Sequence, residues 1–176
     1  MSPEAFDVPG EHSPHKKAME LFQKAYELQM RGELENAIRA YRQSLEALPT
    51  AEAHTFLGWT YSFLGMYEDA IGECKKAIEL DPDFGNPYND IGAYLIELGQ
   101  LDEAIGWLQK AIAAKRYESY CFPYYNLGRI YEAKWDWSGA IEHYRKALNE
   151  NPNYTLASNA LAMLEKIMSS PPSQKS

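Results

Sequence analysis

The stretch DIGAYLIELGQLDEAI, residues 90–105, decides the fold because it follows the same pattern as FLGWTYSFLGMYEDAI, residues 56–71. In both stretches a glycine follows an apolar residue, a second glycine stands seven residues later, and an alanine stands 12 residues after the first glycine. A pattern that recurs at a fixed distance is typical of a chain built from repeated structural units. Repeats are therefore the first feature to trace along the chain.

Four alanines anchor the repeats: Ala37, Ala70, Ala104 and Ala140, at spacings of 33, 34 and 36 residues. A segment with the periodicity of an amphipathic helix precedes each alanine, and a second such segment begins at it. Prolines at positions that end a helix close three of the four repeats, namely Pro49, Pro82 and Pro152. The third repeat lacks this proline and carries two extra residues, which predicts a longer linker near residues 116–121. The pattern predicts four helix pairs.

The repeat resembles the tetratricopeptide repeat, whose pattern over about 34 residues is W-x2-L-G-x2-Y, then A-x3-F, then P. The fourth repeat matches it through Tyr124, Leu127, Gly128, Tyr131, Ala140, Tyr144 and Pro152. The first repeat is the weakest match, since Lys24 and Ala25 stand where Leu-Gly is expected. The resemblance covers about residues 17–168.

This resemblance implies an all-α fold, a right-handed superhelical solenoid of four helix pairs with a C-terminal capping helix. The expected repeats span about 18–50, 51–84, 85–120 and 121–154, and the capping helix spans 155–168. Within this helix Ala157, Leu161, Leu164 and Met168 form an apolar face that Leu156, Ala160 and Met163 widen, and we expect that face to point inward. Residues 1–16 and 169–176 are expected to be a disordered head and tail.

Composition and net charge argue against several classes of protein. Hydrophobic residues make up 45% of the 176 residues, enough for a core, and the formal net charge of −8 argues against nucleic acid as a partner. No stretch approaches the roughly 18 apolar residues of a membrane span, and the first residues do not resemble a signal peptide. Two cysteines are too few for a disulfide scaffold. We therefore expect a cytoplasmic protein without membrane insertion.

The first helices carry large residues opposite their core face. Taking Leu57 as zero, Tyr61 and Leu64 share its face and Trp59 lies roughly opposite, because each helical residue advances by about 100°. The resemblance implies that first helices line a concave face that binds a peptide or a partner helix. Its predicted lining is Phe22, Tyr26, Met30, Thr55, Trp59, Phe63, Asn89, Tyr125 and Arg129. The alternative is that some of these aromatic residues pack between repeats.

The chain shows no arrangement of residues that indicates catalysis, a metal site or a cofactor. We expect His54 and Cys74 to be packing residues and Cys121 to lie in the irregular linker. Some family members hold the carboxylate of a chaperone tail with Lys and Asn on successive first helices. No lysine occupies the matching positions here, so we expect no such clamp.

The predicted function is a non-enzymatic interaction module that binds an apolar or amphipathic peptide of a protein partner in its concave groove. Two alternatives remain open. One is a self-associating structural subunit that uses the same surface, so homo-oligomerisation is left open. The other is a regulatory subunit of a separately encoded enzyme.

Overall fold

A computed structural model describes residues 13–169, and nine α-helices account for most of that range. The helices are α1 (Pro14–Met30), α2 (Leu34–Ala47), α3 (Ala51–Phe63), α4 (Tyr67–Leu80), α5 (Asn86–Glu97), α6 (Leu101–Ala113), α7 (Cys121–Ala133), α8 (Trp137–Glu150) and α9 (Thr155–Ser169). No β-sheet is formed by the described residues. The predicted all-α class is confirmed.

The chain divides after residue 80 into an N-terminal half and a C-terminal half. In the N-terminal half α1 packs against α2, α3 packs against α4, and α2 contacts α3. In the C-terminal half α5 packs against α6 and α7 against α8, while α6 and α5 contact α7 and α8 contacts α9. Each predicted helix pair is therefore present.

The turn after the first helix of each pair is left-handed. Gly32, Gly65 and Gly99 have φ angles of 78°, 72° and 74°, where glycine avoids a steric penalty. In the fourth repeat the same turn holds Trp135, with φ of 62° and a side chain that is 77% exposed. A left-handed residue with a Cβ costs about 1–2 kcal/mol. The fourth repeat carries this strain at its surface.

The two helices of a pair approach closely where the sequence places glycine and alanine. A Cβ added to Gly92 on α5 would lie 2.6 Å from Leu108 Cδ2 on α6, closer than real Cβ contacts allow. Ala104 on α6 is fully buried, and its carbonyl oxygen lies 3.5 Å from the same Cβ position. The small residues of the repeat thus set the distance between paired helices.

The ends of the chain differ from the expected boundaries. Helix α1 begins at Pro14, and the hydroxyl of Ser13 caps it by accepting a hydrogen bond from the Lys16 amide. Residues 14–16, expected in the head, are therefore helical. The rest of the predicted head, residues 1–12, and the predicted tail from residue 170 lie outside the described residues.

The connection between α6 and α7 is anchored to the start of α5. The Gly85 amide donates to the Arg116 carbonyl at 3.1 Å, and the Arg116 amide donates to the Asp83 carbonyl at 2.9 Å. Cys121, expected in this linker, is instead the first residue of α7 and is buried against Ala147 and Ala157. The helix starts at residue 121, where the linker was expected to end, so Cys121 belongs to the packed helix.

Helix α9 buries less than its sequence predicts. Ala157 and Leu164 are buried, whereas Leu156, Met163 and Met168 are exposed. Because α9 packs mainly on α8, one neighbouring helix covers only part of a wide apolar face. The expectation that this whole face points inward was wrong.

Candidate functional site

Five aromatic side chains of the N-terminal half form one continuous row. Phe22 and Tyr26 are four residues apart on α1, and Phe56, Trp59 and Phe63 recur at helical spacing on α3. Residues three, four or seven apart on a helix share a face, so each helix presents its own aromatic stripe. We call these five residues the aromatic row.

Each ring of the aromatic row contacts the next ring along the row. Phe22 and Tyr26 meet Phe56 with ring centroids 5.2 and 5.8 Å apart, both edge to face. Phe56 meets Trp59 at 5.7 Å, and Trp59 meets Phe63 at 5.2 Å. All of these pairs meet edge-on except Trp59–Phe63, which is tilted at 45°, and their separations are favourable for aromatic pairs. The row is one packed surface made by two first helices.

Much of the row remains accessible. Trp59 and Tyr26 are each 36% exposed and Phe63 is 53% exposed, while Phe22 and Phe56 are half-buried. Met30 at the end of α1 is 50% exposed. Tyr26, Trp59 and Phe63 each contact a neighbouring ring and are still exposed. That combination is typical of residues that anchor a bound protein segment.

An apolar cavity adjoins the row. Its volume is about 380 Å³, and Phe22 and Phe56 belong to both the cavity wall and the row. The other lining residues are His15, Ala18, Met19, Ser44, Leu48, Thr50 and Glu52. A pocket of this size, lined mostly by apolar groups, suits a side chain or a short apolar segment.

Thr55 and Asn89, both predicted to line the concave face, are buried. Thr55 is 4% exposed, and its hydroxyl donates to the Ala51 carbonyl at 2.8 Å, within its own helix. Asn89 is buried in the C-terminal half. They were placed opposite the core by counting about 100° per residue along a single helix. That count ignores the neighbouring helices, which cover part of this face. These two residues do not present their side chains to solvent.

Polar side chains of α5 and α7 form a hydrogen-bonded chain in the C-terminal half. Arg129 donates to Glu97 at 2.7 Å and to Asn126 at 3.4 Å. The Asn126 amide donates to Asn89 Oδ1 at 3.2 Å, and the Asn89 amide donates to Asp90 Oδ1 at 3.3 Å. We call these five residues the polar chain. It has the positive charge of Arg129, matched by Glu97, near one end and the carboxyl group of Asp90 at the other.

Tyr125, also predicted for the groove, packs against other tyrosines. Its ring lies 5.2 Å from that of Tyr154 and 5.6 Å from that of Tyr144. Tyr144 is buried and donates its hydroxyl to Glu132 at 2.6 Å. Tyr125 is half-buried, so it supports this cluster more than it offers an open ring.

The pKa values of Asp90 and Glu73 are shifted in opposite directions. Burial raises the pKa of Asp90 from 3.8 to about 7, and the Asn89 hydrogen bond only partly opposes this. Burial would also raise the pKa of Glu73, but hydrogen bonds and charge from His54 and Lys76 outweigh it and lower the pKa. His54 is therefore a hydrogen-bond partner of Glu73 as well as a packing residue. Asp90 lacks a comparable cation.

Sequence reasoning missed Phe56 and Asp90 as site residues. Phe56 stands directly before Leu-Gly in the second repeat, and Asp90 stands directly before Ile-Gly in the third. Asn126 takes the same position in the fourth repeat. A comparison of that one position among repeats would have singled out an aromatic ring, a carboxyl and an amide. The signal was present, but only the residues roughly opposite the core face were compared.

Within residues 13–169, no group of three or more His, Cys, Asp or Glu residues is arranged to hold a metal ion. Across the same residues, each helix is too short or too polar to cross a membrane.

Family models described as tetratricopeptide repeat match residues 51–84, 73–106 and 121–154. Together they cover 51–106 and 121–154, about half of the chain, and correspond to the second, third and fourth repeats. A curated relative, small glutamine-rich tetratricopeptide repeat-containing protein 2 of Mycosarcoma maydis, is 31% identical over 77 residues, which are 43% of this chain and 22% of that protein. The chain spans about a fifth of the length of the curated relatives it matches.

Solved structures share the fold over most of the chain. The structure of pilF from Pseudomonas aeruginosa is similar with a TM-score of 0.81 and 24% identity, covering 89% of this chain and 71% of that one. A structure of MamA is similar with a TM-score of 0.67 and 30% identity, covering 82% and 84%. The repeat pattern, the helix pairs and these matches agree. The chain belongs to the tetratricopeptide repeat family and is, in general terms, a protein-interaction scaffold.

Proposed function

We propose that the chain is a non-enzymatic scaffold that binds an apolar or amphipathic peptide segment of a partner protein. The aromatic row of the N-terminal half is the principal contact surface. The observation that carries the proposal is the exposure of Tyr26, Trp59 and Phe63 within one packed row. Exposed rings that are already held in place lose little conformational freedom when a partner covers them, which favours binding.

The nature of the peptide follows from the surface. The cavity that shares Phe22 and Phe56 is apolar, so an apolar side chain of the peptide gains by leaving water there. The chain carries a net charge of −8, which disfavours nucleic acid and other strongly anionic partners. A cytoplasmic location and a peptide ligand of limited negative charge complete the proposal.

Selection of a random peptide library on the full-length protein tests this proposal. We expect enrichment of peptides with apolar anchors, and we expect Trp59→Ala to lose most of that enrichment. Trp135→Ala is the matched control, since it removes an exposed tryptophan from the C-terminal half and should keep it. The proposal fails if no peptide family is enriched, or if the two variants select peptides equally well.

Self-association is a second candidate because α9 exposes a row of apolar residues, Leu156, Met163, Ile167 and Met168. Sedimentation across a range of concentrations separates it from peptide binding. A mass that rises with concentration, and that returns to the monomer value in a Met163→Lys Ile167→Lys variant, would favour this candidate.

A further inference from the structure

Asp90 ends the polar chain without a charge partner. The only hydrogen bond made by its carboxyl group within residues 13–169 comes from the Asn89 amide, at 3.3 Å. The one cation of the polar chain, Arg129, lies 2.7 Å from Glu97, which matches its charge. Lys115 pairs with Asp83 and Arg116 with Asp81 in the same half. Asp90 therefore remains a half-buried carboxyl group with capacity for a further donor.

A second polar group beside Asp90 is also unsatisfied. The hydroxyl of Tyr117 is buried and has no hydrogen-bond partner among the described residues. Burial raises the pKa of Tyr117, and the negative charge of Asp90 raises it further, so the two groups are electrostatic neighbours. A buried hydroxyl without a partner is uncommon in folded proteins and requires an explanation.

The position of Tyr117 is fixed by the backbone. A Cβ added to Gly85 would lie 2.4 Å from the Tyr117 Cβ, so the Tyr117 side chain lies directly over the residue that precedes α5. The Tyr117 ring also meets that of Tyr120 edge to face at 5.5 Å. With the backbone bonds between residue 116 and residues 83 and 85, this connection holds the hydroxyl next to α5.

The fold does not require a charge at position 90. The equivalent position holds the neutral amide of Asn126 in the fourth repeat and the ring of Phe56 in the second. An asparagine would accept the same hydrogen bond from Asn89 without the penalty of burying a charge. A charge kept where the fold does better without one points to a ligand that needs it.

We propose that Asp90 is the acceptor for a lysine or arginine side chain of a bound protein partner. The ammonium or guanidinium group pairs with the carboxylate and donates to its unused acceptor positions. The buried hydroxyl of Tyr117, which has no hydrogen-bond partner among the described residues, lies within electrostatic reach of this carboxylate. The site lies in the C-terminal half, so it extends the function proposed above without depending on the aromatic row.

The acid–base behaviour of Asp90 is consistent with this role. Burial raises its pKa to about 7, so the free protein holds the carboxyl partly protonated near neutral pH. A bound cation favours the ionised form and lowers that pKa, as an adjacent opposite charge does in general. Binding of a cationic side chain should therefore release a fraction of a proton at neutral pH.

The test uses Nα-acetyl-arginine amide and Nα-acetyl-citrulline amide as probes, because citrulline has nearly the shape of arginine without its charge. The full-length protein is titrated at pH 7.5 with millimolar amounts of each probe while the side-chain amide resonances of Asn89 and Asn126 are followed by NMR. We expect saturable shifts with the arginine probe that are at least fivefold larger than with the citrulline probe. The carboxyl titration of Asp90 should move to lower pH in the presence of the arginine probe.

Two variants decide the assignment. Asp90→Asn should abolish the response to the arginine probe while the far-UV circular dichroism remains that of the wild type. Asp102→Asn removes an exposed carboxylate of the same half and should leave the response unchanged. The inference is overturned by equal responses to the two probes, by no response to the arginine probe, or by an arginine response that survives in Asp90→Asn. Loss of peptide selection in Trp59→Ala bears only on the aromatic row, so the two proposals fail separately.

Discussion

Imidazole Nδ1 of His54 on α3 lies 2.6 Å from carboxylate Oε2 of Glu73 on α4, and Lys76 approaches the other oxygen of Glu73 at 2.8 Å. The side chains of His54 and Glu73 are 14% and 13% exposed, so this pair is partly shielded from water. This contact joins the two helices of the second repeat. A partly shielded pair of this kind contributes more to stability than a pair at the open surface.

Glu73→Gln should lower the free energy of unfolding by about 1 kcal/mol at pH 7, the usual size of a hydrogen bond. Because the pKa of Glu73 is lowered in the folded state, its contribution is present above its usual value of 4.5 and is lost as pH falls through the folded pKa. Urea unfolding of both proteins from pH 7 to pH 3 measures this. Glu79→Gln, an exposed position on the same helix, is the control. Parallel curves for wild type and Glu73→Gln would contradict the assignment.

Asp90→Asn should stabilise the protein, in contrast to Glu73→Gln. The pKa of Asp90 is raised in the folded state, so ionisation opposes folding, and stability falls as pH rises from 3.8 to about 7. Each pKa unit corresponds to about 1.4 kcal/mol, so the variant should gain about 2–4 kcal/mol at pH 8 and little at pH 4. Urea unfolding at the two pH values, with Asp102→Asn as control, measures the gain. A variant less stable than the wild type at pH 8 would show that the carboxylate supports the fold.

Ala104→Leu should destabilise the third repeat by about 1–3 kcal/mol, because the larger side chain overpacks the contact between α5 and α6. Ala104 is fully buried beside the place where α5 carries Gly92. Gly106→Ala on the same helix is the matched control, since its Cβ would meet no atom within 4 Å. It should gain about 0.5–1 kcal/mol, the usual benefit of alanine over glycine within a helix. Equal denaturant stability of Ala104→Leu and wild type would mean that the contact is not close.

Trp59→Ala should affect folding less than binding. Trp59 is 36% exposed, so we expect the free energy of unfolding to fall by about 1 kcal/mol, as for an ordinary point mutation. For a selected peptide we expect affinity to fall by about 2 kcal/mol or more, as hot-spot aromatic residues do. A stability loss above roughly 3 kcal/mol is typical of a cavity left by a buried side chain. Urea unfolding would then identify Trp59 as core and remove the main support for the aromatic row.

The sequence predicted the repeated architecture because few local rules determine it. Ala104 and Gly92 mark a close helix contact, and Gly99 marks a left-handed turn, whatever the rest of the chain does. The site is harder to predict because exposure depends on which neighbouring helix covers a residue. Thr55 and Trp59 lie on the same side of α3, yet one is buried and the other is open.

The environment of Asp90 was even harder to predict from the sequence. Its environment includes Tyr117, which lies 27 residues further along the chain in an irregular connection. No helical periodicity relates the two residues, so only the folded backbone brings them together. Trp135 is a different case, because a comparison of the four turns would have found it in place of glycine from the sequence alone.

The aromatic row also gives the protein an intrinsic fluorophore. The chain has four tryptophans, and Trp59 is the only one before residue 81. Its ring is partly in water and partly against Phe56 and Phe63, a setting in which emission responds to any change in solvent contact. The difference between wild-type and Trp59→Phe spectra therefore isolates the signal of the N-terminal half. Unfolding or peptide docking in that half can be followed in this way without an added label.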